Sequence, residues 1–221
     1  MGKRKRSAAN SDAKTYLPLY AAKVASPEAW IATARELMAA AAPLQFGTAA
    51  WWEACRARFV CGEKVSLPTN VQGVYFVLIG YVIENLAKAM IVGRESTVVR
   101  RVTESAKGIP EFLKTHKLFG LVKRIRLPLQ NGDEDLLRRL TRYSVWAGRY
   151  PVPVTFEDAS HGEEFEDGKE YHVAYISGED AEKANDLVIR LARHLYTEWR
   201  STNLCNWIEE LEGVQATPDV S

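Results

Sequence analysis

The chain has 221 residues, 47% of them hydrophobic and 26% charged, which is enough apolar material to bury the core of one large domain and too much for a disordered chain. Its 29 Lys and Arg residues face 28 acids, and the formal net charge of +1 decides nothing about partners: a nucleic-acid reader often carries a basic excess, and here any basic face must be offset by an acidic one. Three cysteines, Cys55, Cys61 and Cys205, form neither an even disulfide framework nor a zinc-ligand spacing, so free thiols in a reducing cytoplasm are expected, with no metal and no cofactor.

Residues 1–14, with Lys3, Arg4, Lys5 and Arg6 in a row, read as a disordered basic tail without the apolar stretch of a signal peptide. Residues 15–213 read as a single helical domain. Ser26-Pro27-Glu28 is a helix start: an N-cap hydroxyl, a proline at the first helical position and an acid at the positive end of the dipole. Trp30, Ile31, Ala34, Leu37 and Met38 follow at helical spacing. Pro43 is expected to kink or end this helix, with Phe46-Gly47 as a junction to a second run over 48–60.

Asn70 can cap the next helix, expected over 71–92 and apolar almost all round in its first half, the mark of a central helix surrounded by neighbours. Its most apolar part, 71–83, ends at Glu84 and Lys88, short of the ~20 residues a membrane span needs, so no membrane association is expected. Pro110 opens another helix, carried by Phe112, Leu113, Leu118, Phe119, Val122 and Ile125 up to Pro128. Asn131-Gly132-Asp133 is a turn and cap, and the helix behind it stops before Pro151. Residues 157–170 form a long acidic loop, and one long final helix is expected from Ser177-Gly178-Glu179 onwards, fraying over 214–221. The fold class is all-α, a bundle of five or six helices with the acidic loop before the last.

Three pieces carry a family likeness. Glu84-Asn85-Leu86-Ala87-Lys88-Ala89 sits on the central helix, Thr115-His116-Lys117-Leu118 opens the next, and Arg149-Tyr150-Pro151 closes the one after. In this order they resemble the HEPN superfamily, whose bundles carry an E-x-x-x-K-A central helix, a T-H-x-L-x-x-L helix start and an R-Y-P helix end. The resemblance places a HEPN-like core over about 71–212, with extra N-terminal helices at about 26–60. It implies association with RNA or nucleotide, a homodimer or a hetero-oligomer with another helical protein, and a role in phage defence or toxin–antitoxin modules. Active members are metal-independent endoribonucleases using an Arg followed, after four to six residues, by a His. Such a His can shuttle the 2′-hydroxyl proton, and the Arg can stabilise charge growing on the phosphate.

None of the four histidines, His116, His161, His172 and His194, has an Arg at that distance upstream. The nearest approach is Arg190 with His194, one turn apart on a single helix face. Three functions therefore stay open: a catalytically degenerate HEPN-like protein that binds RNA, nucleotide or a protein; an endoribonuclease with a site rearranged around Arg149, Arg190, His194 or His116; and a structural adaptor. Glu84 and Lys88, charged on an apolar helix, are expected to meet polar partners such as His116 or Arg149, as a structural network or a ligand site. Arg149 and Tyr150 pair a guanidinium with a stacking ring, a fit for phosphate and base.

Overall fold

The computed structural model describes residues 16–95, 97–105, 109–147, 163–164, 170–171, 178–200 and 202–215. The molecule is all-α. Helix α1 covers 16–24, followed by α2 (Pro27–Phe59), α3 (Gln72–Arg94), α4 (Val98–Ser105), α5 (Glu111–Lys114), α6 (Leu118–Arg124) and α7 (Asp133–Arg142), which runs into a π-helical turn, Tyr143–Ala147. Two last helices follow, α8 (Glu179–Trp199) and α9 (Thr202–Gln215). Within the acidic segment, Glu163–Glu164 pairs antiparallel with Glu170–Tyr171, too short a ladder to alter the class. The basic tail 1–14 and the rest of the loop 157–170 lie outside the described residues.

Sixteen of the 23 residues of α3 are buried, which makes it the axis of the bundle. Tyr75, Phe76, Ile79, Ile83, Leu86 and Met90 are fully enclosed. Around them pack α2, α6, α7, the π-helical turn and α8. By length and composition α3 could also cross a membrane, a difference from the sequence expectation, but 78% of that window is covered by the other helices.

Helix α2 corrects the expected break at Pro43. It runs 33 residues without interruption, through both Pro43 and Gly47. Proline removes one backbone hydrogen bond and crowds the preceding turn. Yet Met38, Ala41 and Thr48 are buried on either side of it, and Pro43 itself faces solvent. Burial along α3 holds both halves in line. Gly47 is a contact point rather than a junction: a Cβ there would lie 2.8 Å from Val71 Cγ2. The N-terminus forms as expected, with Ser26 Oγ accepting from Ala29 N at 3.2 Å and donating to Glu28 Oε2 at 2.8 Å. Ser26→Ala is expected to cost about 1 kcal/mol, lowering the thermal midpoint by roughly 2–4 °C; an unchanged midpoint would show that the cap contributes nothing.

The other corrections concern helix breaks. The helix expected from Pro110 to Pro128 is two, α5 and α6, because Thr115 takes an extended backbone (φ −67°, ψ 144°). The expected long final helix folds back at Arg200, which adopts a left-handed conformation (φ 47°). A straight helix over 179–215 would be roughly 55 Å long and leave its last turns in water. Folded back, Leu204, Trp207, Ile208 and Leu211 are buried instead.

Ion pairs bind α7 to α8. Arg139 reaches Asp180 through both terminal nitrogens, at 2.6 and 3.1 Å, and Arg190 reaches Asp133 in the same manner at 2.9 and 2.8 Å. Such forked pairs fix orientation as well as distance.

Candidate functional site

Glu84 and Lys88 lie one turn apart on the buried axis, 5% and 3% exposed. Lys88 Nζ donates to Glu84 Oε1 at 2.5 Å and stands 5.6 Å from the centre of the Trp30 ring on α2. The ring is held in place by its own Nε1, which donates to Val24 O at 2.8 Å. The ammonium thus has a carboxylate on one side and a π face on the other.

The break between α5 and α6 delivers the third member. Thr115 Oγ1 accepts from Lys117 N at 3.1 Å, and Leu118 N donates to Thr141 Oγ1 on α7 at 3.1 Å. These bonds satisfy the start of α6 and turn His116 towards α3, where its Nδ1 meets Glu84 Oε2 at 2.9 Å. A carboxylate only accepts, so Nδ1 carries the hydrogen, and in the neutral ring Nε2 is left as the acceptor. The His116 side chain is 54% exposed, so the ring is open to water. A buried carboxylate orienting an imidazole is the arrangement that holds a general base in its working tautomer.

Of the remaining candidates, Arg190 and His194 do not join it. Arg190 is spent on Asp133 and on Asp186, whose Oδ2 accepts from Nε at 2.6 Å. Burial alone would lower its guanidinium, but the bonds and charges of the two aspartates outweigh that and hold it above its ordinary range. His194 Nε2 donates to Ile125 O at 3.2 Å, a carbonyl that also accepts from Arg94 at 2.9 Å. That proton is committed to the backbone, so His194 and Arg190 share a helix face but no partner. Arg149 and Tyr150 lie outside the described residues, as do His161 and His172. Among the described residues no three His, Cys, Asp or Glu side chains gather to hold a metal ion.

One surface escaped the sequence reading. Over residues 111–126 there are five Lys or Arg and a single acid, Glu111. Lys114, Lys117, Lys123, Arg124 and Arg126 are all exposed. Two rings interleave with them: Arg124 and Arg101 lie 4.7 and 5.5 Å from the centre of Phe112, and Arg138 and Lys123 lie 4.9 and 5.9 Å from Phe119. Some of this charge is answered at home, Lys114 by Glu111, Arg138 by Glu134 and Arg124 by Glu95. Lys117 and Arg126 have no acidic partner among the described residues. His116 stands in the same segment, between Lys114 and Lys117.

No family model, curated protein or solved structure matches the chain. Its function must be argued from these side chains.

Proposed function

We propose that the protein is a HEPN-like helical bundle that binds single-stranded RNA through the basic, ring-bearing face of α5 and α6 without cutting it. It acts in the cytoplasm, as a dimer or beside another helical protein, in a defence or toxin–antitoxin setting. The family part rests on the ordered motifs and on the position of Glu84, Lys88 and His116 around the central helix. The RNA part rests on one observation: the exposed run from Lys114 to Arg126 concentrates positive charge around two aromatic rings in a protein that is nearly neutral overall. Lysine and arginine meet phosphates, and the half-buried rings of Phe112 and Phe119 stand beside them where a base could stack. The absence of cutting rests on Arg190 and His194, the nearest thing to the family's catalytic pair, being bound to structural partners.

The test is fluorescence anisotropy with a labelled 20-nucleotide RNA across a salt series. Replacing Lys117, Lys123 and Arg126 by Glu removes three exposed cations that make no ion pair among the described residues, Lys123 resting only on the Phe119 ring. Affinity is expected to fall at least about tenfold, and the slope of log affinity against log salt to shrink by about 2, at ~0.7 per phosphate contact. Equal binding by the parent and the triple variant would end the proposal.

A second function, RNA cleavage, is favoured by the geometry of His116 alone, since Glu84 leaves Nε2 free to take a 2′-hydroxyl proton. Full-length product bands after prolonged incubation of parent protein with the same RNA are expected. Shortened products that vanish in His116→Ala would transfer the function to this histidine.

A further inference from the structure

A cavity of about 380 Å³ opens between α2, α8 and α9, away from the basic face. Met38, Ala39 and Ala42 line it from α2, Ile189 from α8, and Trp207 and Leu211 from α9. In this apolar lining one polar side chain is set deep: Asn185, 4% exposed. Its Oδ1 accepts from the hydroxyl of Tyr75 at 3.1 Å.

That bond decides which way the amide points. Tyr75 is fully enclosed, and burial pushes its phenol above the ordinary range despite the opposing pull of the Asn185 hydrogen bond. The phenol therefore keeps its proton and needs an acceptor, which among the described residues is Asn185 Oδ1. The Nδ2 group of Asn185 is left with two N–H donors and no acceptor among the described residues, in a side chain that lines the cavity. The donor is not sealed off by protein, so it is open to the cavity, where a ligand acceptor or a water can meet it. Arg35 and Glu210, 3.7 Å apart, also line the cavity, the first half-buried and the second exposed. Arg35, the cation among the described lining residues, is answered by Glu210, so the surround of Asn185 suits a neutral oxygen better than a carboxylate.

We propose that this cavity is a binding site for an apolar small molecule ending in a neutral carbonyl, an acyl or aryl ketone or amide, whose oxygen accepts from Asn185 Nδ2 while its apolar body lies between Met38, Ile189 and Trp207. The volume is that of a small-ligand pocket. The site is independent of RNA binding, sharing no residue with the α5–α6 face.

The experiment is a titration of the isotope-labelled full chain followed by amide NMR. The probes are 4-phenyl-2-butanone and N-hexylacetamide, set against n-butylbenzene and n-nonane, which lack the oxygen. The carbonyl probes are expected to shift the Asn185 side-chain amide and the Trp207 indole saturably. They should bind about tenfold more tightly than the hydrocarbons, the weight of one hydrogen bond to a buried donor. Ala39→Trp fills the mouth without touching the Tyr75–Asn185 bond, and it should abolish those shifts while leaving the thermal midpoint in place. Three outcomes overturn the proposal: no saturable shift with either carbonyl probe, equal affinity for the hydrocarbons, or undiminished binding by Ala39→Trp.

Discussion

Glu84→Leu should be among the most destabilising single substitutions in the chain, costing about 3–5 kcal/mol in urea or thermal unfolding followed by circular dichroism. It leaves the Lys88 ammonium, 3% exposed, with the Trp30 ring as its remaining partner among the described residues. The partner substitution, Lys88→Met, should cost less. The Glu84 carboxylate then keeps His116 Nδ1 at 2.9 Å, and His116 connects it to solvent. Exchanging both, Glu84→Leu with Lys88→Met, replaces a buried ion pair by apolar side chains of similar volume, and such replacements are often neutral. The double variant should therefore recover most of the loss, with a coupling on the order of 2–3 kcal/mol. Recovery would mean that the pair is kept for something other than stability, which is what holding His116 against α3 requires. If the two losses simply add, Glu84 and Lys88 act as separate packing residues and the polar trio is no unit.

The central helix and its charged pair were legible because the signals are local and strong. A run in which Tyr75, Phe76, Val77, Leu78 and Ile79 follow one another without a polar break puts apolar side chains on every side, the mark of a helix surrounded by neighbours. Charged residues on such a run must find partners, and His116 is near in sequence and chemistry. The misjudged boundaries share one cause: local preference yielded to tertiary packing. Pro43 argues for a break, yet Ala41 and Thr48 are worth more pressed on α3 than a relaxed turn at residue 43. At Arg200 nothing local announces a stop, since a non-glycine residue rarely takes φ 47°. The signal lay further on, in Leu204, Trp207 and Leu211, which repeat the helical stripe and must be folded back to be buried.

The site was harder to read than the fold. The basic face was visible as five Lys or Arg against one acid, but a net charge of +1 for the whole chain masks a local excess. Arg190 and His194 illustrate the opposite error. Their spacing puts them on one face, and only coordinates reveal that Asp133, 57 residues away, and the carbonyl of Ile125 have taken them. Asn185 carried no signal at all, being one polar residue on a buried stripe, and its meaning depends on Tyr75, 110 positions earlier in the chain.

The π-helical turn offers the second large effect. Gly80 on α3 faces Ser144 so closely that a Cβ there would lie 2.2 Å from Ser144 Oγ, while Leu140 O stands at 3.4 Å. The approach is held from both sides, since Tyr81 Oη donates to Ser144 O at 3.1 Å and Ser144 Oγ donates to Leu140 O at 3.1 Å. Ser144 is 2% exposed, so its hydroxyl has nowhere to turn. Gly80→Ala should therefore push α7 and the π-helical turn off the axis, costing about 1–3 kcal/mol as an overpacked core does. For a chain of this size that is a fall of roughly 2–10 °C in the thermal midpoint. Helix propensity pulls the other way, because alanine is favoured over glycine within a helix by ~1 kcal/mol. A rise in stability would thus show that the contact is loose. Ser144→Ala removes the obstructing oxygen, and its Cβ at 3.6 Å is an ordinary contact. Combined with Gly80→Ala it should restore the midpoint and let the helix gain appear. Failure of that rescue would mean that the Leu140 carbonyl, rather than the Ser144 hydroxyl, sets the distance between α3 and the turn.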